Sequence, residues 1–186
     1  DEGVAWRLVS NNTTHRPADI VAELQDAGFD VANDQLTGAL STGLDWLRQR
    51  GHRRLGWLAA SHLRSWLADQ GFETVEPSTE TCDAVVLGAD PDLDLAGLDR
   101  ALRWLRAGAD LLCLHRNRFW LDQDGRARLG PGAWAAALEA AVPGARTVTA
   151  GKPEPAVYTQ AVQEVGAHLQ AKLDDLDGEV YADGAD

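Results

Sequence analysis

Short apolar runs alternate along the chain with segments whose apolar residues recur every three or four positions. Residues 4–9 (VAWRLV) run into Ser10-Asn11-Asn12-Thr13-Thr14, the pattern of a buried strand entering a polar turn. Pro17 opens a segment that places Ile20, Val21, Leu24 and Ala27 on one helix face, and Gly28 closes it. The same alternation continues. Helices are predicted over 36–51 (Leu40, Leu44 and Leu47 inward), 61–72 (Ser61 as N-cap), 95–108 (Leu98, Leu102 and Leu105 inward), 132–141 and 155–166. Strands are predicted over 54–60, 84–90, 109–115 and 147–151. Strands and helices of these lengths in alternation imply parallel sheets covered by helices, joined by right-handed crossovers. No internal repeat and no low-complexity stretch interrupts the pattern. Trp46, Trp57, Trp66, Trp104 and Trp134 fall on the predicted apolar faces, which assigns them to core packing; Trp6 and Trp120 do not.

Charge narrows the function classes. The 186 residues carry 29 Asp and Glu against 17 Lys and Arg, a net charge of −12. Affinity for nucleic acid rests on cationic side chains that displace counterions, so a nucleic-acid partner is not expected. An anionic membrane surface is disfavoured for the same reason. No apolar run is long enough to span a bilayer, and DEGVAWRL lacks the basic start and apolar middle of a signal peptide. Cys82 and Cys113, far apart and only two, form neither a disulfide framework nor a metal site, which fits a cytoplasmic protein. No methionine occurs, not even at position 1, so the chain is expected to be part of a longer protein or to lack some residues of it.

Three clusters bear chemistry. Ser10-Asn11-Asn12-Thr13-Thr14 follows a strand, where open α/β sheets bind ligands; a hydroxyl and free N–H groups there suit a phosphate oxygen, and an ordinary Asx or ST turn is the alternative. Gly151-Lys152-Pro153-Glu154-Pro155 also follows a strand. Its lysine can neutralise a phosphate or a carboxylate, or it is a surface lysine. Asp174-Asp175-Leu176-Asp177-Gly178 clusters hard oxygen ligands for a cation such as Mg²⁺, or forms a solvated acidic tail.

Taken together, these clusters resemble the haloacid dehalogenase (HAD) superfamily of phosphohydrolases. RLVSNNTTHRPADIVAELQDAGF is similar to motif II and its helix in the NagD-like branch. AVVLGAD, LRAGADLLCLHRNRFWLDQDGRARLGPGAWAAALEAA and VTAGKPEPAVY are similar to that branch's C2-type cap and its return into motif III. The resemblance implies an α/β fold: a Rossmann-like HAD core (1–36 and 131–186) with an inserted α/β cap (37–130). It makes Ser10 the hydroxyl that binds the phosphoryl group, with Asn11 and Asn12 beside it, and Lys152 the lysine that stabilises charge on nucleophile and phosphate. His115, Arg116, Asn117 and Arg118 would contact substrate from the end of a cap strand.

The family's order departs here. No acidic motif precedes Ser10; DLDGEVYADG lies near the C-terminus instead. Read as motif I, it makes Asp175 the nucleophile and Asp177 the acid/base, with Asp174, Asp175 and Asp177 on Mg²⁺, in a permuted or incomplete chain. Read as motif IV, it assigns Asp174, Asp175 and Glu179 to the metal and leaves the nucleophile missing. The function implied is Mg²⁺-dependent hydrolysis of a small phosphorylated metabolite through an aspartyl-phosphate. The alternatives are a catalytically impaired phosphate-binding module and a dimerisation domain, since caps of this branch often pair as homodimers.

Overall fold

A computed structural model describes the backbone of residues 4–121 and 124–182, and side chains as far as residue 171. The main sheet is five-stranded and wholly parallel, in the order β4-β3-β5-β6-β9. Its strands are β3 (Arg54–Leu58), β4 (Glu73–Thr74), β5 (Ala84–Leu87), β6 (Asp110–Cys113) and β9 (Thr147–Thr149). β5 is buried at every position, as a strand covered on both faces must be.

Strict alternation sorts the core into two layers. Leu55, Trp57, Ala84, Val86, Leu112 and Leu114 face one cluster. There they meet Leu40, Leu44 and Leu47 of α2 (Ala39–Gln49) and Leu67 of α3 (Arg64–Asp69). Leu58, Val85, Leu87, Leu111 and Cys113 face the other. That layer is closed by Leu98, Ala101, Trp104 and Leu105 of α4 (Leu95–Arg106) and by Ala135 and Leu138 of α5 (Pro131–Ala141). Asp94 caps α4, its carboxylate accepting from the Gly97 N–H at 2.7 Å. Trp57 and Trp104 are buried in these layers, and Trp46, Trp66 and Trp134 pack against them. The indole of Trp104 lies where a side chain at position 56 would be: a Cβ on Gly56 would come within 2.5 Å of its ring.

A smaller parallel sheet pairs β1 (Leu8–Ser10) with β2 (Leu36–Gly38). Leu8 and Leu36 pack there with Ile20, Val21 and Leu24 of α1 (Pro17–Asp26) and with Val31. α6 (Pro155–Ala182) docks on this sheet through Glu164. The Glu164 carboxylate takes the Arg7 guanidinium and the hydroxyl of Thr37, and Thr37 in turn accepts from Arg7 Nε at 2.9 Å. An antiparallel hairpin, β7 (Phe119–Leu121) and β8 (Ala127–Leu129), leaves the carboxyl end of the main sheet. Among the described residues no helix is long and apolar enough to cross a membrane.

The α/β architecture expected from sequence is present, with local corrections. Residues 36–38 form β2 rather than a first helical turn. Ser61 caps no helix: the Ala60 carbonyl, taken by Trp57 Nε1 and the Leu63 N–H, holds a tight turn before α3 begins at Arg64. The helix after Lys152 runs on to Ala182, through the acidic segment. β9, beyond residue 131, is hydrogen-bonded to β6 in the main sheet.

Candidate active site

The carboxyl ends of the main strands and of β1 carry loops that meet. At the end of β1, Ser10 Oγ accepts from the Asn12 N–H at 3.1 Å. The Asn12 carboxamide oxygen accepts from the N–H groups of Thr14 and His15, at 3.0 and 3.1 Å, and closes an Asx turn. Thr13, 1% exposed, accepts the Ala89 N–H from the loop after β5 at 3.2 Å. His62, in the loop after β3, donates Nε2–H to the Thr14 carbonyl at 2.7 Å; a carbonyl only accepts, which fixes the tautomer.

From the other side comes the loop after β9. Gly151 donates to the Leu114 carbonyl at 2.8 Å, which seats the loop on the end of β6. The Asn11 carboxamide then grips the Lys152 main chain twice. Its oxygen accepts the Lys152 N–H at 2.8 Å, and its Nδ2 donates to the Lys152 carbonyl at 3.0 Å. Lys152 Nζ donates to the Val9 carbonyl at 2.8 Å, beside Ser10. Among the described residues the Lys152 ammonium pairs with no carboxylate, so two N–H donors remain for a ligand. The Ser10 hydroxyl donates to no protein acceptor among them either. A hydroxyl and a cation presented together at a strand end suit an anion.

The structure therefore unites Ser10, Asn11, Asn12 and Lys152, but with divided roles. Ser10 and Lys152 present free donors. Asn11 and Asn12 use their carboxamides to hold the loops, not to face a ligand. Beyond β6, the Arg116 guanidinium is bidentate to Glu139 at 2.6 and 3.0 Å and donates to Thr149 at 2.9 Å, which ties it to α5 and β9. The hydrogen bond from Arg116 holds the Glu139 carboxyl below its ordinary value. His115 is buried with Nδ1 unpartnered, and burial keeps its pKa below that of a free imidazole. Asn117 and Arg118 are exposed. Sequence reasoning included Thr13 in the Ser10 cluster without giving it a role, and missed His62 and the Ala89 N–H. The position of Ala89 at a strand's carboxyl end was the available signal; the contact across from Thr13 had none.

The acidic segment behaves differently. Asp174, Asp175 and Asp177 have their backbone in α6, and their side chains lie outside the described residues. At 1.5 Å per residue, position 175 of that helix is about 30 Å from its start at Pro155. Among the described residues no three His, Cys, Asp or Glu side chains converge on a metal position.

The chain is 31% identical over 164 residues to haloacid dehalogenase-like hydrolase domain-containing protein 2 of Pongo abelii, an alignment covering 88% of this chain and 60% of that one. This relative and the fold match the HAD superfamily that the sequence resembles. No family model matches the chain. Its fold superposes on p-nitrophenyl phosphatase from Archaeoglobus fulgidus with a TM-score of 0.75, at 22% identity, over 87% of this chain and 61% of the other. A glycerol phosphate phosphatase from Mycobacterium tuberculosis, in complex with calcium, gives 0.74 at 25% identity over 87% of this chain and 48% of the other. The chain thus spans about three fifths of the length of the curated HAD relatives it matches.

Proposed function

We propose that this chain is the substrate-binding part of a HAD phosphatase acting on small phosphate monoesters. The observation that carries the reading is the double clamp of Asn11 on Lys152. It fixes an ammonium beside Ser10 at the carboxyl end of a sheet. In this site the phosphoryl oxygens take the Ser10 O–H and the Lys152 N–H groups, which stabilise charge while the phosphoryl group transfers. The relatives named for phosphatase activity support this substrate class.

Turnover needs two carboxylates. In the proposed reaction, Asp175 attacks phosphorus and forms an aspartyl-phosphate. Asp177 protonates the departing oxygen, then takes a proton from the attacking water. Asp174, Asp175 and Asp177 are the oxygen ligands proposed for Mg²⁺, which when bound would supply charge neutralisation. For these residues to act, the chain beyond about residue 166 must leave the helical course of α6 and return to Ser10.

A second reading has a specific observation in its favour. The long course of α6 separates the acidic segment from the anion pocket, and a chain so arranged binds phosphate ligands without hydrolysing them. Assaying a panel of phosphate monoesters with Mg²⁺, wild type against Asp175→Asn, decides between them. Hydrolysis lost in the variant supports the first reading. Phosphate binding without hydrolysis in either protein supports the second, and equal hydrolysis in both removes Asp175 as nucleophile.

A further inference from the structure

A groove of 770 Å³ separates α2 from α6, with Thr42 and Trp46 on one wall and Thr159 and Gln163 on the other. Neither Ser10 nor Lys152 borders it. Its volume is that of a small-molecule site, and clefts between helices are a common place for one.

The α2 wall holds an unsatisfied group. Thr42 is 7% exposed, and its hydroxyl oxygen is buried with no hydrogen-bond partner. A helical threonine ordinarily bonds the carbonyl four residues earlier. Here that carbonyl, of Gly38, takes the Ser41 hydroxyl at 2.9 Å instead. A buried hydroxyl left so is destabilising, and native folds seldom keep one unless something outside the chain completes it.

The lining also states the charge of the occupant. Among the described residues that border the groove, every charged side chain has a partner of opposite sign: Asp45 pairs with Arg48 at 2.8 Å, and Glu164 with Arg7. Gln160 Nε2 links the two carboxylates, donating to Asp45 at 3.1 Å and to Glu164 at 3.0 Å. An ion therefore meets no unpaired counter-charge. The polar groups left over are neutral: the Thr42 hydroxyl, and the side chains of Gln49, Thr159 and Gln163, which form no hydrogen bond among the described residues. Trp46, Pro155 and Ala156 set carbon surface between them. Neutral donors and acceptors interleaved with carbon match a molecule whose hydroxyls both donate and accept around a C–H framework.

We propose that the groove between α2 and α6 is a second ligand site, separate from the anion pocket, that takes an uncharged polyhydroxylated molecule of monosaccharide size, one of whose hydroxyls bonds Thr42. This site does not depend on the phosphatase reading.

NMR titration of the whole chain with myo-inositol and with glucose tests this, following the indole N–H signals, with Trp46→Phe identifying that of Trp46. Saturation at this one indole separates a site from the general exclusion of polyols from protein surfaces. In the wild type at least one of the two should move the Trp46 signal saturably, and inorganic phosphate should not. Thr42→Val keeps the side-chain shape and removes the hydroxyl. It should weaken polyol binding about fivefold, the worth of one neutral hydrogen bond. Without ligand it should unfold at the same urea concentration as the wild type or a higher one, because the hydroxyl it deletes has no partner. The site is overturned if neither polyol gives a saturable shift, if phosphate gives one, or if Thr42→Val binds as tightly as the wild type. A variant that unfolds at lower urea overturns it too, since the hydroxyl would then be satisfied within the chain.

Discussion

Replacing Gly151 with alanine should strike both the packing and the site. A Cβ there would lie 2.5 Å from Asn11 Oδ1, 2.7 Å from the Leu114 carbonyl oxygen and 2.8 Å from Ala39 Cβ. The Leu114 oxygen is backbone, the Ala39 Cβ is fixed to its backbone, and the Asn11 carboxamide is pinned by two hydrogen bonds to Lys152, so the loop itself must move. Overpacking of this kind costs about 1–3 kcal/mol. The displaced Asn11 oxygen is also the acceptor of the Lys152 N–H, and a hydrogen bond lost there adds about 1 kcal/mol. The expected destabilisation is about 2–4 kcal/mol by urea unfolding, with phosphate affinity weakened in parallel because Lys152 shifts from Val9. Gly144→Ala is the control. Nothing lies within 4 Å of a Cβ there, so its stability should change by no more than about 0.5 kcal/mol. If the two variants unfold at the same urea concentration, the tight seating of the loop after β9 is refuted.

Other outcomes follow from contacts away from that loop. Thr37→Val removes a fully buried hydroxyl that links Arg7 to Glu164. Urea unfolding should show a loss of about 1–3 kcal/mol. Glu139 is held below its ordinary value by the hydrogen bond from Arg116. Its contribution to stability is therefore full above about pH 4.5, its unfolded value, and is lost as pH falls through the lower folded value. Unfolding measured across that range should lose this acid-side decline in Arg116→Met; an unchanged pH profile would show that the pair is inert.

Much of the fold was legible because hydrophobic pattern and burial agree. The run at 84–87 is buried throughout, and the Leu98 and Leu105 stripe of α4 faces the sheet as its spacing requires. What escaped were elements too short to show a period. β2 has three residues, one a buried threonine whose polarity is satisfied only by Arg7 and Glu164 from elsewhere in the chain. The hairpin of β7 and β8 carried a signal, Asp124-Gly125 between Phe-Trp-Leu and Ala-Arg-Leu, with Gly125 at φ 75°. That the Ser10 and Lys152 segments lie at strand ends was legible from the apolar runs before them: Ser10 closes β1 and Lys152 lies just beyond β9. The roles of Asn11 and Arg116 were not. Whether a side chain meets a ligand or a neighbour depends on what the tertiary fold brings beside it: here the Lys152 main chain, 141 residues away, and Glu139, 23 away.

The most direct test is a calorimetric titration of inorganic phosphate into the wild type and Lys152→Met. Methionine keeps much of the chain length and deletes the ammonium beside Val9 and Ser10. Affinity should fall about tenfold to a hundredfold, the worth of one charge-assisted hydrogen bond. Equal affinity in the two proteins would mean that the anion sits elsewhere and that the Ser10 and Lys152 loops do not form its pocket.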